Sequence, residues 1–203
     1  MKTTFALLSS AVVLFSCVSL LAQTNVIGPP NALQWGMSYA EAKGILKEKK
    51  IELDDLKYEK KYKLPEGFKV AQVGKYEILG RKTDNNLACF NADGELCAFQ
   101  INFRFGDSDY TVAKSKARKF WEEELKDAIV GKYSGEGFKQ HNDPDPDGNI
   151  PEVAFRDEVG NEVGVFFQQR KELIGGSGWI CIYYTNEEIA KSSRAQLKAT
   201  DKF

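Results

Sequence analysis

The spacing of apolar positions changes several times along the chain, and each change marks an element. From Phe5 to Leu21 apolar residues run almost unbroken, interrupted by Ser9, Ser10, Ser16, Cys17 and Ser19. Further on, Tyr39, Ala42, Ile45, Leu46 and the aliphatic stem of Lys49 recur at helical spacing behind Ser38-Tyr39-Ala40-Glu41, a capping-box pattern. This predicts a helix over 39–50. Ile51 to Phe68 loses the period, becomes dense in charge and carries the turn signal Pro65-Glu66-Gly67, which reads as a solvated edge and loop. Val70 to Thr83 reads as a strand or strand pair.

Leu87 to Phe105 carries the clearest hairpin signal, with Asp93-Gly94 as its turn. Cys97, Phe99, Ile101, Phe103 and Phe105 alternate with Leu96, Ala98, Gln100, Asn102 and Arg104, so one side is apolar and the other reads as wet. Asp109 caps a second predicted helix whose stripe is Ala113, Ala117, Phe120, Trp121, Leu125 and Ala128, with Gly131 as its stop. His141 to Pro151 reads as a polar loop. Strands follow at 153–156, 162–170 and 179–184. Asp157 to Asn161 turns the first pair, and Gly175-Gly176-Ser177-Gly178 turns the second. Thr185-Asn186-Glu187-Glu188 opens a polar C-terminal helix. Runs of strands joined by tight turns, separated by helices, predict an α+β fold: an antiparallel sheet with helices packed on one face. A helix-plus-strands unit, α-β-β(-β), occurs twice, with halves at 35–108 and 109–203, although sequence similarity between the halves is faint.

The apolar run after Lys2, ending at Leu20-Leu21-Ala22 before the polar Gln23-Thr24-Asn25, has the parts of a secretory signal over 1–22. Cleavage after Ala22 leaves an extended leader at 23–34 and a single domain at 35–203. Leu14-Phe15-Ser16-Cys17 offers a second outcome, a lipobox that would lipidate Cys17 and hold the product on a membrane. The export reading places the protein in the periplasm, on the cell surface or outside the cell.

Lys and Arg total 28 against 29 Asp and Glu, a balance that excludes the basic excess of a nucleic-acid binder. Hydrophobic residues make up 42% of the chain and aromatics 12%, enough to build a core. In an oxidising compartment Cys89 and Cys97 can bridge the hairpin. A loop of Ala92-Asp93-Gly94 sets them opposite each other on the face of Phe99 and Ile101, while a register one residue different sets Cys97 opposite Phe90. Cys181, between Trp179 and Tyr183, reads as a buried thiol.

Asp143-Pro144-Asp145-Pro146-Asp147-Gly148-Asn149-Ile150 is similar to the first half of an EF-hand calcium loop, with Asp143, Asp145, Asp147 and Glu152 as oxygen donors. Its twelfth position is Ala154, however, and Glu152 comes two residues early. The plainer reading is a turn-rich surface loop. His141 is the single imidazole, and no nucleophile elbow or phosphate-binding loop accompanies it. The chain therefore reads as non-enzymatic, with an unrecognised catalytic site as the alternative. Gln100, Asn102, Arg104, Gln168 and Arg170, with Phe166 and Tyr184 as aromatic anchors, are the expected protein-binding face.

Trp35-Gly36-Met37-Ser38, leading into a helix with Ala42 and Leu46, resembles the Gly-Met-Ser/Thr helix opening of small exported bacterial proteins. The beta-lactamase inhibitor protein and the small lipoproteins of the outer-membrane barrel-assembly machinery share that opening. The resemblance implies a helix packed on a short antiparallel sheet whose face or loops bind another protein. It assigns no functional residue.

Overall fold

A computed structural model of the chain describes residues 26–56, 67–144, 149–171 and 176–186. The helices are α1 (Tyr39–Glu48), α2 (Tyr110–Phe120) and α3 (Lys126–Tyr133), the last two joined through one π-helical turn at Trp121–Leu125. The strands are β1 (Leu53–Asp55), β2 (Lys69–Val73), β3 (Glu77–Ile78), β4 (Arg81–Lys82), β5 (Asn86–Phe90), β6 (Leu96–Asp107), β7 (Phe138–His141), β8 (Val153–Asp157), β9 (Glu162–Lys171) and β10 (Gly176–Thr185). Eight of them form one antiparallel sheet in the order β1-β2-β5-β6-β10-β9-β8-β7, and β3 and β4 make a separate small hairpin. The fold is α+β.

Each half carries its helix first and then winds its strands from an outer edge to the centre. The halves meet where β6 pairs with β10, from Ala98–Thr185 to Asp107–Gly176. Each half thus holds four sheet strands behind its helix, more than the sequence predicts. The extra strands are the three-residue β1 and the edge strand β7, both too short and too polar to show a period of two.

One apolar core lies between the helices and the sheet. Ala42 and Leu46 of α1 and Ala113, Ala117 and Phe120 of α2 supply the helical side. Phe99, Ile101, Phe103, Phe105, Ile180, Ile182 and Tyr184 supply much of the sheet side. This side of the sheet is the helix face; the other is the open face. Gly178 lets α2 sit directly on β10: a Cβ there would lie 3.0 Å from the Ala113 carbonyl oxygen and 3.1 Å from the Ala117 Cβ. Gly176 to Gly178 therefore belong to a strand and are not the flexible turn the sequence suggests.

The capping box forms as read. The Glu41 amide donates to Ser38 Oγ at 3.3 Å, and the Ser38 amide donates to Glu41 Oε2 at 2.8 Å. The helix ends at Glu48, two residues early, because Lys50 takes a left-handed conformation at φ 60°. The residues before the cap also have a structural task. The Gly36 amide donates to the Leu96 carbonyl at 3.0 Å, and the Leu96 amide donates to the Met37 carbonyl at 2.8 Å. Gly36 reaches this pairing at φ 81°, which suits glycine.

Asp109 caps α2 as expected, accepting from the amides of Thr111 and Val112. The predicted stripe then fails at Ala128, which is exposed, whereas Ile129 and Tyr133 are buried. The π turn inserts one residue and rotates the following surface, so Gly131 lies inside α3 and does not end it.

Beside this cap, Asp107 accepts from the Asp109 amide at 3.0 Å, from Lys116 Nζ at 2.7 Å and from the Ser108 hydroxyl at 3.3 Å. Chiefly through the Asp109 amide, these donors lower its carboxyl from 3.8 to about 2. The lowered value means the stabilisation is complete above about 3.8 and is lost as pH falls through about 2. Carboxyl-carbon NMR should give Asp107 a midpoint near 2, shifted up in Lys116→Ala. A midpoint near 3.8 in the wild type would contradict this contact.

Residues 26–34, the described part of the predicted extended leader, lie against the domain. Ile27 is fully buried, Leu33 joins the same core, and Trp35 Nε1 donates to the Ile27 carbonyl at 2.7 Å. The predicted signal at 1–22, Cys17 and the predicted C-terminal helix lie outside the described residues.

Candidate functional site

The alternation of each strand decides what the open face presents. From β10 it carries Ser177, Trp179, Cys181, Tyr183 and Thr185, because their neighbours Ile180, Ile182 and Tyr184 belong to the core. In the pairing register, Arg104 lies opposite Trp179, Asn102 opposite Cys181 and Gln100 opposite Tyr183. From β9 come Gln168 opposite Trp179, Phe166 opposite Cys181 and Gly164 opposite Tyr183. Rows of side chains therefore cross the centre of the sheet where the halves join.

The aromatic members pack on one another. Phe166 and Tyr183 meet edge to face, with ring centroids 5.4 Å apart and planes at 88°. Gly164 permits this, since a Cβ there would come within 2.9 Å of the Phe166 ring. Gln168 Nε2 donates to the Tyr183 hydroxyl at 3.3 Å. Trp179 Nε1 donates to Ser177 Oγ at 2.9 Å, and the Arg104 guanidinium stands 5.6 Å from the indole centroid. Phe166, Trp179 and Tyr183 are partly exposed, Arg104 and Gln168 exposed, and Cys181 buried among them. Beside Arg104 lies an open notch of about 360 Å³ lined by Lys75, Lys82, Thr83, Asp84, Arg104 and Gly106, in which Lys75 pairs with Asp84 at 2.6 Å. Among these described lining residues, three cations stand with one carboxylate.

The expected binding residues divide. Arg104, Phe166 and Gln168 stand on the open face as predicted, and Arg170 holds the backbone position opposite Ser177. Gln100 and Asn102 are on that face but are buried, not wet. Gln100 Nε2 donates to Asn102 Oδ1 at 2.6 Å, Asn102 Nδ2 donates to the Asn85 carbonyl at 2.6 Å, and the Asn102 amide donates to Asn86 Oδ1 at 3.1 Å. The left-handed turn at Asn85, φ 50°, carries this cover. Tyr184 is a second correction. It points into the core on the helix face, where burial, and then Tyr133, hold its phenol well above the ordinary range. Trp179 and Tyr183, at the opposite parity of β10 from Tyr184, are the aromatics that the open face carries in its place, and the sequence reading did not name them for it.

At the far end of the open face, β7 to β9 carry the Arg156–Glu162 ion pair with the His141 ring beside it. Arg156 Nη2 lies 2.8 Å from Glu162 Oε2, and His141 lies 3.5 Å from Glu162 and 3.3 Å from Asp143. His141 and Cys181 are three strands apart, about 14 Å by the interstrand spacing, so the structure does not join them as a base and nucleophile.

Asp145 and Asp147 lie outside the described residues. Of their suggested companions, Asp143 is drawn toward His141 and Arg156, and Glu152 is taken by Arg118 of α2 at 3.0 Å. Among the described residues, no group of three His, Cys, Asp or Glu side chains converges as metal ligands.

The cysteine pair also departs from expectation. The loop forms as read, with the Asn91 amide donating to the Glu95 carbonyl at 2.9 Å. A β-bulge then follows: Phe90 pairs with Leu96 and Cys89 with Ala98, leaving Cys97 as the extra residue. Both cysteines are free thiols, and they lie with Val70, Leu87 and Ala98 in a small cluster on the open face, away from Phe99 and Ile101.

No protein-family model matches the chain, and no curated protein or solved structure shows significant similarity to it.

Proposed function

We propose that the chain is an exported, non-enzymatic protein that binds a partner protein on the open face of its sheet. The observation that carries this is the strip of Phe166, Trp179 and Tyr183 beside Arg104 and Gln168, partly exposed among the described residues while the helices and core occupy the opposite face. Tryptophan, tyrosine and arginine at the centre of a flat surface are the residues that most often dominate interface energy. Lys75, Lys82 and Arg104 at its rim favour a partner with an acidic surface. Export is supported by Lys2 and the apolar run to Ala22. The Trp35–Ser38 opening, similar to that of exported protein-binding families, supports the same reading.

The experiment is affinity capture from envelope extract, followed by affinity measurement with the purified partner. Trp179→Ala combined with Arg104→Ala should weaken binding by about 30-fold or more, and added salt should weaken the wild-type complex. Lys119→Ala, on an exposed position of α2, should leave affinity unchanged. Equal affinities for the wild type and the double variant would remove the open face as the interface.

A further inference from the structure

Cys89 and Cys97 are at most 1% exposed, on adjacent strands, under Leu56 and Phe68. At the β6 bulge the side chains of Cys97 and Ala98 both project to the open face, so two residues stand over the single Cys89 of β5. Cys97 Sγ lies 3.2 Å from the Cys89 carbonyl oxygen, and both side chains belong to the same small buried cluster. Only a short loop joins them. Cys181 shares the face, but it lies four residues along β10 from Thr185, the partner of Ala98, about 13 Å away.

From this contact we propose that Cys89 and Cys97 are a paired oxidation site, closing to a cross-strand disulfide that staples β5 to β6 while Cys181 remains a thiol. The proposal does not rest on the docking reading, since it requires only a disulfide oxidant. One cysteine thiolate attacks the oxidant's disulfide, forming a mixed disulfide and expelling one thiolate. The second cysteine then attacks the protein sulfur and expels the other. Two protein thiols are oxidised, and one small-molecule disulfide is reduced to two thiols. The hydrogen bond with Cys97 and burial push the Cys89 thiol upward, so thiolate is scarce in the folded state and exchange belongs to the folding chain.

The test refolds the reduced, denatured full chain in glutathione disulfide, unfolds the product in denaturant, blocks the remaining thiols with iodoacetamide and digests with trypsin. Residues Thr83 to Arg104 form one tryptic peptide that holds both cysteines and no internal lysine or arginine. It should appear unalkylated and lighter by two hydrogens, and Cys181 should be alkylated. Cys181→Ser should leave the bond in place, and Cys89→Ser should expose Cys97 to alkylation. Reduction of the oxidised wild type should lower its melting temperature by about 5–10 °C. A doubly alkylated Thr83–Arg104 peptide, or a cross-link to Cys181, would overturn the proposal, and the wild-type map decides it even where a variant fails to fold.

Discussion

Asp157→Ala is expected to destabilise the fold by about 3–5 kcal/mol, more than any other single polar change among the described residues. Its carboxylate is buried and satisfied entirely by nitrogen donors. Asp157 Oδ2 accepts from the Ile27 amide at 2.8 Å and from Asn161 Nδ2 at 2.8 Å, and Oδ1 accepts from the Asn161 amide at 2.7 Å. The Asn161 bonds close the β8–β9 turn, which Gly160 completes at φ 88°. The Ile27 bond ties the first described residues to a strand 130 positions later. Truncation to alanine leaves the buried Ile27 and Asn161 amides without an acceptor and opens a gap beside them. Each orphaned group costs about 1–3 kcal/mol, more where the lost partner is charged.

The expected readout is a fall of about 10 °C in melting temperature. Hydrogen exchange at Ile27 should change from globally protected to locally open, and Trp35, whose indole bonds to the Ile27 carbonyl, should gain solvent exposure. Asp157→Asn keeps one acceptor oxygen and should fall between the two. A loss below about 1 kcal/mol in Asp157→Ala would mean that residues 26–35 are not anchored there.

The leader also shows which parts of the architecture the sequence could reveal. Local signals carried well: the Ser38/Glu41 box, the Asp109 cap, the Asp93-Gly94 turn and the alternation after Cys97 all appear where residue chemistry places them. These depend on neighbours within a few positions. What failed depends on distant partners. Gly28-Pro29-Pro30 reads as part of an extended leader, and the bond from the Ile27 amide to Asp157 helps seat that stretch so that Ile27 and Leu33 join the core. Trp179 to Tyr184 is apolar at both parities, so its facing is set by the pairing of Tyr184 with Phe99 and Ile182 with Ile101. Ala128 fails as a core position because a π turn, which has no sequence signature in Trp121–Leu125, shifts the helix surface by one residue. Gln100 and Asn102 looked wet because polar side chains on a strand usually are, and the Asn85 turn that covers them is itself held by those side chains.

The same dependence shaped the candidate site. Arg104, Phe166 and Gln168 were legible because polar positions flank them in β6 and β9. Trp179 and Tyr183 complete the strip only once β10 is seated between those strands. The bulge at Cys97 changed more than a distance, since one extra residue moved that cysteine to the opposite face. The thiol contact and the aromatic strip thus occupy one side of a sheet whose other side is committed to the helices.

Phe120→Ala should cost about 3–5 kcal/mol, because it empties the point where α2 is fixed to the central strand. The ring is 2% exposed and lies 5.1 Å from Phe103 and 5.6 Å from Phe105, centroid to centroid. On its outer side the Arg81 guanidinium from the β3–β4 hairpin stands 4.9 Å from Phe120 and 4.5 Å from Phe105. One side chain therefore joins α2, β6 and the hairpin. Deleting it removes dispersion contacts from each and leaves a void that the sheet cannot close, because Gly178 already holds the helix at its nearest approach to β10. Denaturant unfolding measures the loss as a lower midpoint at unchanged slope. A double-mutant cycle with Phe103→Ala should return a coupling of about 0.5–1.5 kcal/mol for the aromatic pair. A cost near that of a surface substitution, within about 0.5 kcal/mol, would show that α2 does not pack on β6 through this ring. The open face lies on the other side of the same strands, so the intact fraction of Phe120→Ala should still bind a partner captured by the wild type. Trp179→Ala with Arg104→Ala should do the reverse, retaining the fold while losing the partner.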